Sequence, residues 1–444
     1  MINLFYDYSD ASRDLYQSLL ASGYTHPTVV IEDDGFLPED INSPLEFLLK
    51  RAGSVFKGRP RYFNEIDKPH FWEIKSTALG ADVLDKGKRR GRIRFHKNDR
   101  KRQVKSVEWF DENGQVRVVD RYNQWGWKFA QTTKDAQGRD AITSYYSSQG
   151  TEILIHNELT GDYLYNEPNG TIKLFKNNYS LTAYYLEHSG FNLNGAIINS
   201  LGSALFTLIN LKKKPTKNIL FWQEHIQNGI PDNMLFMLKE NIGQSKVIVQ
   251  DQQEYQKIVS NLSADLKKNV YYLGNIYSFK RENTYQPRAL IFTNSDQIEC
   301  LKQLVENLKQ VHFDIAAVTE MSSKLMAFGK YDNVNLYPTV SDKVAAQLLK
   351  ENDIYLDINY ANEILNADRR AFEHNLLLLA FKDTIHSKKY VAEENVFEKG
   401  DADSLVEKIK YVLKERSAFN DALNIQRKYA GSETADSYHR IIEK

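Results

Sequence analysis

Cysteine is almost absent. Cys300 stands alone among 444 residues, which excludes an intramolecular disulfide framework and a thiolate-held metal cluster and agrees with a reducing, cytoplasmic setting. Proline (10) and glycine (22) are too few for a collagenous or low-complexity chain. No stretch approaches the ~18 uninterrupted apolar residues of a membrane-crossing helix. The opening MINLFYDYSD has no basic segment followed by an apolar one, so no secretory leader is expected. The ten histidines are scattered without HxH or HxxxH spacing, and no metal site is expected. Net charge is missing too, since 58 basic and 58 acidic side chains cancel.

That zero hides an asymmetry. Residues 1–50 hold nine acidic and two basic side chains, whereas residues 51–110 hold 17 basic and seven acidic. Opposite local fields of this kind suit an interaction surface. Aromatics are plentiful, with 26 Tyr, 22 Phe and 5 Trp. The length gives a prior of about three domains.

MINLFYDY reads as a strand, followed by a helix over ASRDLYQSLLASG that Asp10 is placed to cap, and THPTVVIEDD as the next strand. This β-α-β opening predicts a parallel sheet. Between about Pro60 and Gly170 the helical period disappears. Strand-like runs such as VKSVEWF, QVRVVDRY and TEILIHNEL are punctuated by turn signals at Asp111–Gly114, Asp135–Gly138, Ser147–Gly150, Thr160–Asp162 and Asn166–Gly170. That spacing predicts an antiparallel meander. Four of the five tryptophans (Trp72, Trp109, Trp125, Trp127) lie in this block; Trp125 and Trp127 are expected on one face of a strand, as core or as partner interface. After residue 180 helices and strands alternate again. AIINSLGSALFTLINLKKK reads as helical and NILFWQEH as a strand. A second α/β unit begins at RALIFTNS, includes a helix capped by Ser341, and closes on helices from about Asp401. The expected division is 1–59 with 181–280 as a first Rossmann-like domain, 60–180 as an inserted β-sheet, 281–425 as a second Rossmann-like domain and 426–444 as a C-terminal helix.

The order of elements in residues 287–430 resembles the C-terminal half of a GT-B glycosyltransferase, carried by ALIFTNSDQIECLKQL, NVNLYPTVSDKVAAQLLKENDIYLDIN and ANEILNADRRAFEHNLLLLAF. The resemblance implies an α/β, GT-B-like fold, two Rossmann-like domains facing a cleft, with the antiparallel β-meander inserted in the first. Active retaining members of that class place an Arg after the first strand of this half and a Lys five residues later, to hold the donor diphosphate. Here those positions read Asn294 and Glu299. A carboxylate repels a diphosphate. The class also carries two glutamates separated by seven residues. Glu373 matches the second, but the position eight before it is Leu365, and Glu363 lies ten before it. The resemblance thus implies a glycosyltransferase scaffold that binds no cofactor and has no catalytic residues of its own.

The whole chain resembles the accessory, stabilising subunits of two-component O-GlcNAc transferases of Gram-positive bacteria. The resembling stretches include VVIEDDGFLPE, PRYFNEIDKPHFWEI, DRYNQWGW, NILFWQEH, KVIVQD, IFTNSDQIE and DIYLDINYANEIL. Such a subunit is implied to bind a separate catalytic glycosyltransferase that holds UDP-GlcNAc. It is also implied to bind the serine-rich-repeat adhesin before that adhesin's export by the accessory Sec system. Two other functions stay open: an active GT-B glycosyltransferase with an atypical donor site, and an assembly factor without sugar contact.

Candidate sites follow. Asn294, Ser295, Asp296, Asp357 and Asn359 end strands, where ligands of open α/β sheets sit. With Glu363, Trp222 and His225 they form the expected acceptor-binding group, because amides, hydroxyls and carboxylates read hydroxyls and peptide groups. The competing reading is that Asp296 caps its helix, Asn359 turns the chain and His225 is structural. The basic run from Lys86 to Arg102 holds ten Lys/Arg and one Asp. Its members Lys88, Arg89, Arg90 and Arg92, with Trp125 and Trp127, are candidates for contact with the partner or with the cytoplasmic face of the membrane. A solvated hairpin tip is the alternative, and no nucleic-acid motif accompanies the run.

Overall fold

In a computed structural model the described residues are 1–77, 80–96, 101–227, 229–240 and 242–444. The chain forms two compact units, Met1–Tyr272 with Ile441–Lys444, and Leu273–Arg440.

The first unit contains a seven-stranded parallel sheet. Its spatial order is Val270–Tyr272, Gln244–Val249, Lys217–Trp222, Gly195–Ile198, Ile2–Phe5, Thr28–Val30 and Ile41–Asn42. Numbered along the chain within this sheet, the order is 7-6-5-4-1-2-3, the Rossmann arrangement with one strand added. The strands INLF, TVV and GAII are buried throughout. Continuous apolar runs suit strands covered on both faces. The second unit repeats the plan with six parallel strands: Val334–Tyr337, His312–Ala317, Arg288–Thr293, Ile354–Asp357, Leu377–Phe381 and Val396–Phe397, or 3-2-1-4-5-6 in chain order.

Between the third and fourth strands of the first parallel sheet, the chain leaves through the helix Pro44–Arg51. It then builds a ten-stranded antiparallel sheet and returns through the helix Asn178–His188. Every strand of this sheet pairs with its neighbour in sequence, from Glu73–Ser76 at one edge to Ile172–Phe175 at the other. The expected turns are present, and Gly114, Gly138, Gly150, Gly161 and Gly170 all take positive φ, the left-handed conformation that glycine adopts without a Cβ clash.

Three local expectations are corrected. The helix Asp10–Ala21 is capped by Ser9, whose side chain accepts from Ser12 N, and Asp10 is its first residue. AIINSLGSALFTLIN is not one helix. Gly195–Ile198 is a central strand and only Ser203–Asn210 is helical, because an apolar run this continuous carries no period to separate the two. Trp125 and Trp127 lie in the connection after the strand Val116–Tyr122, not on a strand. No helix among the described residues is long and apolar enough to cross a membrane.

Candidate functional site

In the second unit, the crevice beyond the carboxyl ends of Arg288–Thr293 and Ile354–Asp357 is the place where an open α/β sheet takes a ligand. Here the chain crosses it. Ile298 and Asn359 form an antiparallel bridge. Glu299 N donates to Ile358 O at 2.8 Å and Tyr360 N donates to Gln297 O at 3.0 Å. The Glu299 carboxylate accepts from the Tyr360 hydroxyl at 2.7 Å. The following helix, Leu301–Asn307, starts at Cys300 in a left-handed conformation with no side-chain cap. This loop puts a carboxylate and a backbone bridge across the strand ends.

The predicted acceptor group is only partly available. Asn359 is 2% exposed. Its Oδ1 accepts from Thr293 Oγ1 at 2.8 Å and its Nδ2 donates to Ala361 O at 3.0 Å, so it turns the chain. Thr293 Oγ1 also accepts from Ser295 N at 3.0 Å. Asp296 caps no helix; it accepts from Ser322 Oγ at 2.8 Å. Glu363 accepts from Asp368 N at 3.0 Å and so serves the first turn of the helix Ala367–Glu373. Glu373 is held by Lys280 at 2.7 Å and Arg369 at 2.8 Å. Asn294 is exposed and Ser295 is half-buried.

Asp357 belongs to a cluster that the sequence reading missed. It is 1% exposed and accepts from His386 N at 2.7 Å and His386 Nδ1 at 2.5 Å. The other ring nitrogen of His386 lies 2.7 Å from Ala361 O. The paired carboxylate raises the His386 pKa to about 9. Asp368 completes the cluster, with ligand-type atoms of all three residues within 4.8 Å. Burial, then the neighbouring Asp357 and Glu363 carboxylates, raise the Asp368 pKa well above the usual range.

In the first unit the equivalent crevice, between Ile2–Phe5 and Gly195–Ile198, is filled by amides. Asn199 accepts from Tyr6 N at 3.0 Å and donates to Ser12 Oγ at 2.8 Å and Gln223 at 3.2 Å; Gln223 in turn donates to Gln250 at 2.6 Å. Trp222 is corrected from a groove residue to a core residue: it is 3% exposed and packs in the apolar core of this sheet. His225 is mostly exposed, and its Nδ1 pairs at 3.2 Å with Glu254, which is itself buried. The structural reading of His225 therefore has a partner to name.

Trp125 and Trp127 stack at 5.6 Å, and Phe56 stands edge-on to both. A Cβ on Gly126 would come within 2.3 Å of Arg59 O. The pair therefore clamps residues 56–61 onto the sheet, which corrects the expectation of a strand face. Lys88, Arg89, Arg90 and Arg92 lie on the strand Lys88–Phe95. Arg89 faces Asp82 at 3.7 Å, Arg90 faces Asp85 at 3.7 Å and Arg92 faces Glu108 at 3.9 Å, so carboxylates offset much of that charge. Residues 97–100 of the basic run lie outside the described residues.

Comparison with known proteins gives consistent matches. Four family models cover the chain in sequence: the GtfB N-terminal domain (2–48), the GtfB middle domain (72–176), the GtfB third domain (178–261) and the GftB/GlyA-F C-terminal domain (289–426). The chain is 38% identical to a "UDP-N-acetylglucosamine--peptide N-acetylglucosaminyltransferase stabilizing protein GtfB" of Streptococcus gordonii, over all of this chain and 98% of that one. It is 39% identical to a protein of the same name from Streptococcus agalactiae, over all of this chain and 99% of that one. The structure is similar to a chain of the GtfA/B complex crystallised with UDP and GlcNAc, with a TM-score of 0.94, 37% identity, and coverage of 100% and 99%.

Proposed function

The chain belongs to the GtfB family of stabilizing proteins, and from that premise we propose that it is the non-catalytic subunit of a peptide O-GlcNAc transferase. Its two Rossmann-like units are the halves of a GT-B scaffold. It binds a separate catalytic glycosyltransferase and stabilises it. It also holds the serine-rich-repeat acceptor before accessory Sec export. UDP-GlcNAc binds to the catalytic partner and not to this chain.

One observation carries the non-catalytic reading: the crevice of the second unit is crossed by residues 297–299 bonded to 358–360, and the resemblance to GT-B glycosyltransferases sets Glu299 at the position of their phosphate-binding lysine. The relatives' name, stabilizing protein, agrees with it. The test is calorimetric titration of the isolated chain with UDP and with UDP-GlcNAc, together with an assay of sugar-nucleotide hydrolysis. The expected result is no binding in the micromolar range and no hydrolysis without the partner. A dissociation constant of roughly tens of micromolar would replace this reading with an active glycosyltransferase using an atypical donor site.

A further inference from the structure

A polar cavity of about 530 Å³ lies within the first unit, in the ~300–1,000 Å³ range of ligand pockets. Its walls come from two different sheets. Tyr6, Glu32 and Asp33 follow the carboxyl ends of Ile2–Phe5 and Thr28–Val30, while Arg121, Thr143, Tyr145, His156, Glu158 and Tyr163 face it from the antiparallel sheet and its connections. Asn177 and Asn178, at the start of the returning helix, close one side.

The antiparallel wall is organised around one carboxylate. Arg121 donates to Thr132 Oγ1, Thr132 and Thr143 share a bond of 2.7 Å, and Thr143 donates to Glu158 at 2.6 Å. Arginine only donates and a carboxylate only accepts, so the chain of bonds has a fixed direction toward Glu158. Both threonines are buried, at 0% and 3% exposure. His156 pairs with Glu158 at 3.1 Å and stacks on Tyr163 at 4.0 Å. On the opposite wall Glu32 accepts from Asn178 at 3.2 Å. At the rim Lys105 pairs with Asp34 at 2.8 Å.

The lining chemistry selects the ligand. Four carboxylates (Glu32, Asp33, Asp34, Glu158) face two permanent cations, Lys105 and Arg121. Lys105 is paired with Asp34 and Arg121 donates to a threonine; Asp33 accepts from Gly35 N and Ser43, Glu32 from Asn178 and Glu158 from Thr143, and each carboxylate keeps further lone pairs for an incoming donor. A phosphate or nucleotide would meet repulsion here. A neutral ligand with several hydroxyl donors would meet acceptors, and the rings of Tyr6, Phe129, Tyr145 and Tyr163 offer it apolar faces.

We propose that this cavity, and not the strand ends of the second unit, is where the chain holds its acceptor, gripping closely spaced neutral hydroxyls. Those hydroxyls belong either to serine side chains or to a sugar already attached to them. The inference rests on the acceptor-binding part of the proposed function and deepens it by giving that binding a place and a chemistry.

The test is affinity measured on the full chain with two probes, an unmodified serine-rich peptide and a methyl glycoside of N-acetylglucosamine. Glu158→Gln and Glu32→Gln are compared with Asn294→Ala, and circular dichroism checks that each variant is folded. The expected result is binding of at least one probe, weakened tenfold or more by either glutamate change. Peptide binding alone identifies serine hydroxyls as the ligand, and glycoside binding alone identifies the sugar. Weakening by Asn294→Ala with no effect of the glutamate changes overturns the cavity and leaves acceptor binding standing. If neither probe binds the unaltered chain, the cavity and the acceptor reading both fall, and only the stabilising role remains.

Discussion

A backbone carbonyl can only accept a hydrogen bond, and this fixes the charge of His386. One ring nitrogen faces Ala361 O and the other faces the Asp357 carboxylate, so both must carry protons and the ring is an imidazolium. Asp368, beside it, is fully buried with one oxygen lacking a hydrogen-bond partner. Burial and two nearby carboxylates favour its neutral form. Both groups hold protons in the folded chain that the unfolded chain has released, so stability must fall as pH rises. For His386 the loss falls between its ordinary value of 6.5 and about 9; for Asp368 it starts lower, above the ordinary carboxylate range. Asp368→Asn removes the ionisable group and keeps the shape. Thermal melts from pH 6 to 9 are expected to show a flatter alkaline decline in this variant, worth roughly 2–4 °C for each kcal/mol recovered. An unchanged decline would mean that Asp368 is already ionised. None of this was legible in the sequence: His386 stands 29 residues from Asp357, and no local spacing links them. For Asn359 the sequence offered both a ligand-reading amide and a chain-turning one, and composition could not choose between them because it does not show that Thr293 and Ala361 consume its hydrogen bonds.

At the scale of elements, the antiparallel sheet was the most legible part. Its turns are written in Asp, Asn, Ser, Thr and Gly, and turn chemistry is local. The strand Gly195–Ile198 was illegible for the opposite reason, since burial on both faces erases the period that marks a strand. The sheet also leaves something uncovered. Leu164 pairs directly with Leu174, and Ile172 with Asn166, so Leu164, Ile172 and Leu174 share one face, exposed at 38%, 65% and 51%. Ile142, 43% exposed, joins them through the registers Ile142–Asn157 and Ile155–Leu164. The other face of the same strands buries Tyr163, Tyr165 and Phe175. An apolar face of this kind, beside an open edge strand, is suited to a partner. We expect Leu164→Glu combined with Leu174→Glu to weaken co-purification with the catalytic chain at least tenfold. Both side chains already meet solvent, so the fold should be retained in far-ultraviolet circular dichroism. Undiminished co-purification would move the partner contact elsewhere on the chain.

For the whole molecule, stabilisation is a mutual quantity. A partner that binds only the folded form raises stability by RT ln(1 + [L]/Kd), about 2.7 kcal/mol at a hundredfold excess over Kd. The same complex therefore protects both chains. The two units of this protein have separate apolar cores, the second unit's lying on both faces of its parallel sheet, and the antiparallel sheet belongs to the first unit. A partner docked on that sheet acts directly on the first unit's folding equilibrium. Melting the two chains separately and together should thus raise the transition of the catalytic chain and that of the Met1–Tyr272 unit, both in proportion to the logarithm of the partner's concentration. The Leu164→Glu, Leu174→Glu variant should abolish both increases together, since one interface produces them. If the catalytic chain were still protected while this chain gained nothing, linkage through a shared complex would be excluded. The stabilising role would then have to be a transient, chaperone-like one that ends before the catalytic chain reaches its folded state.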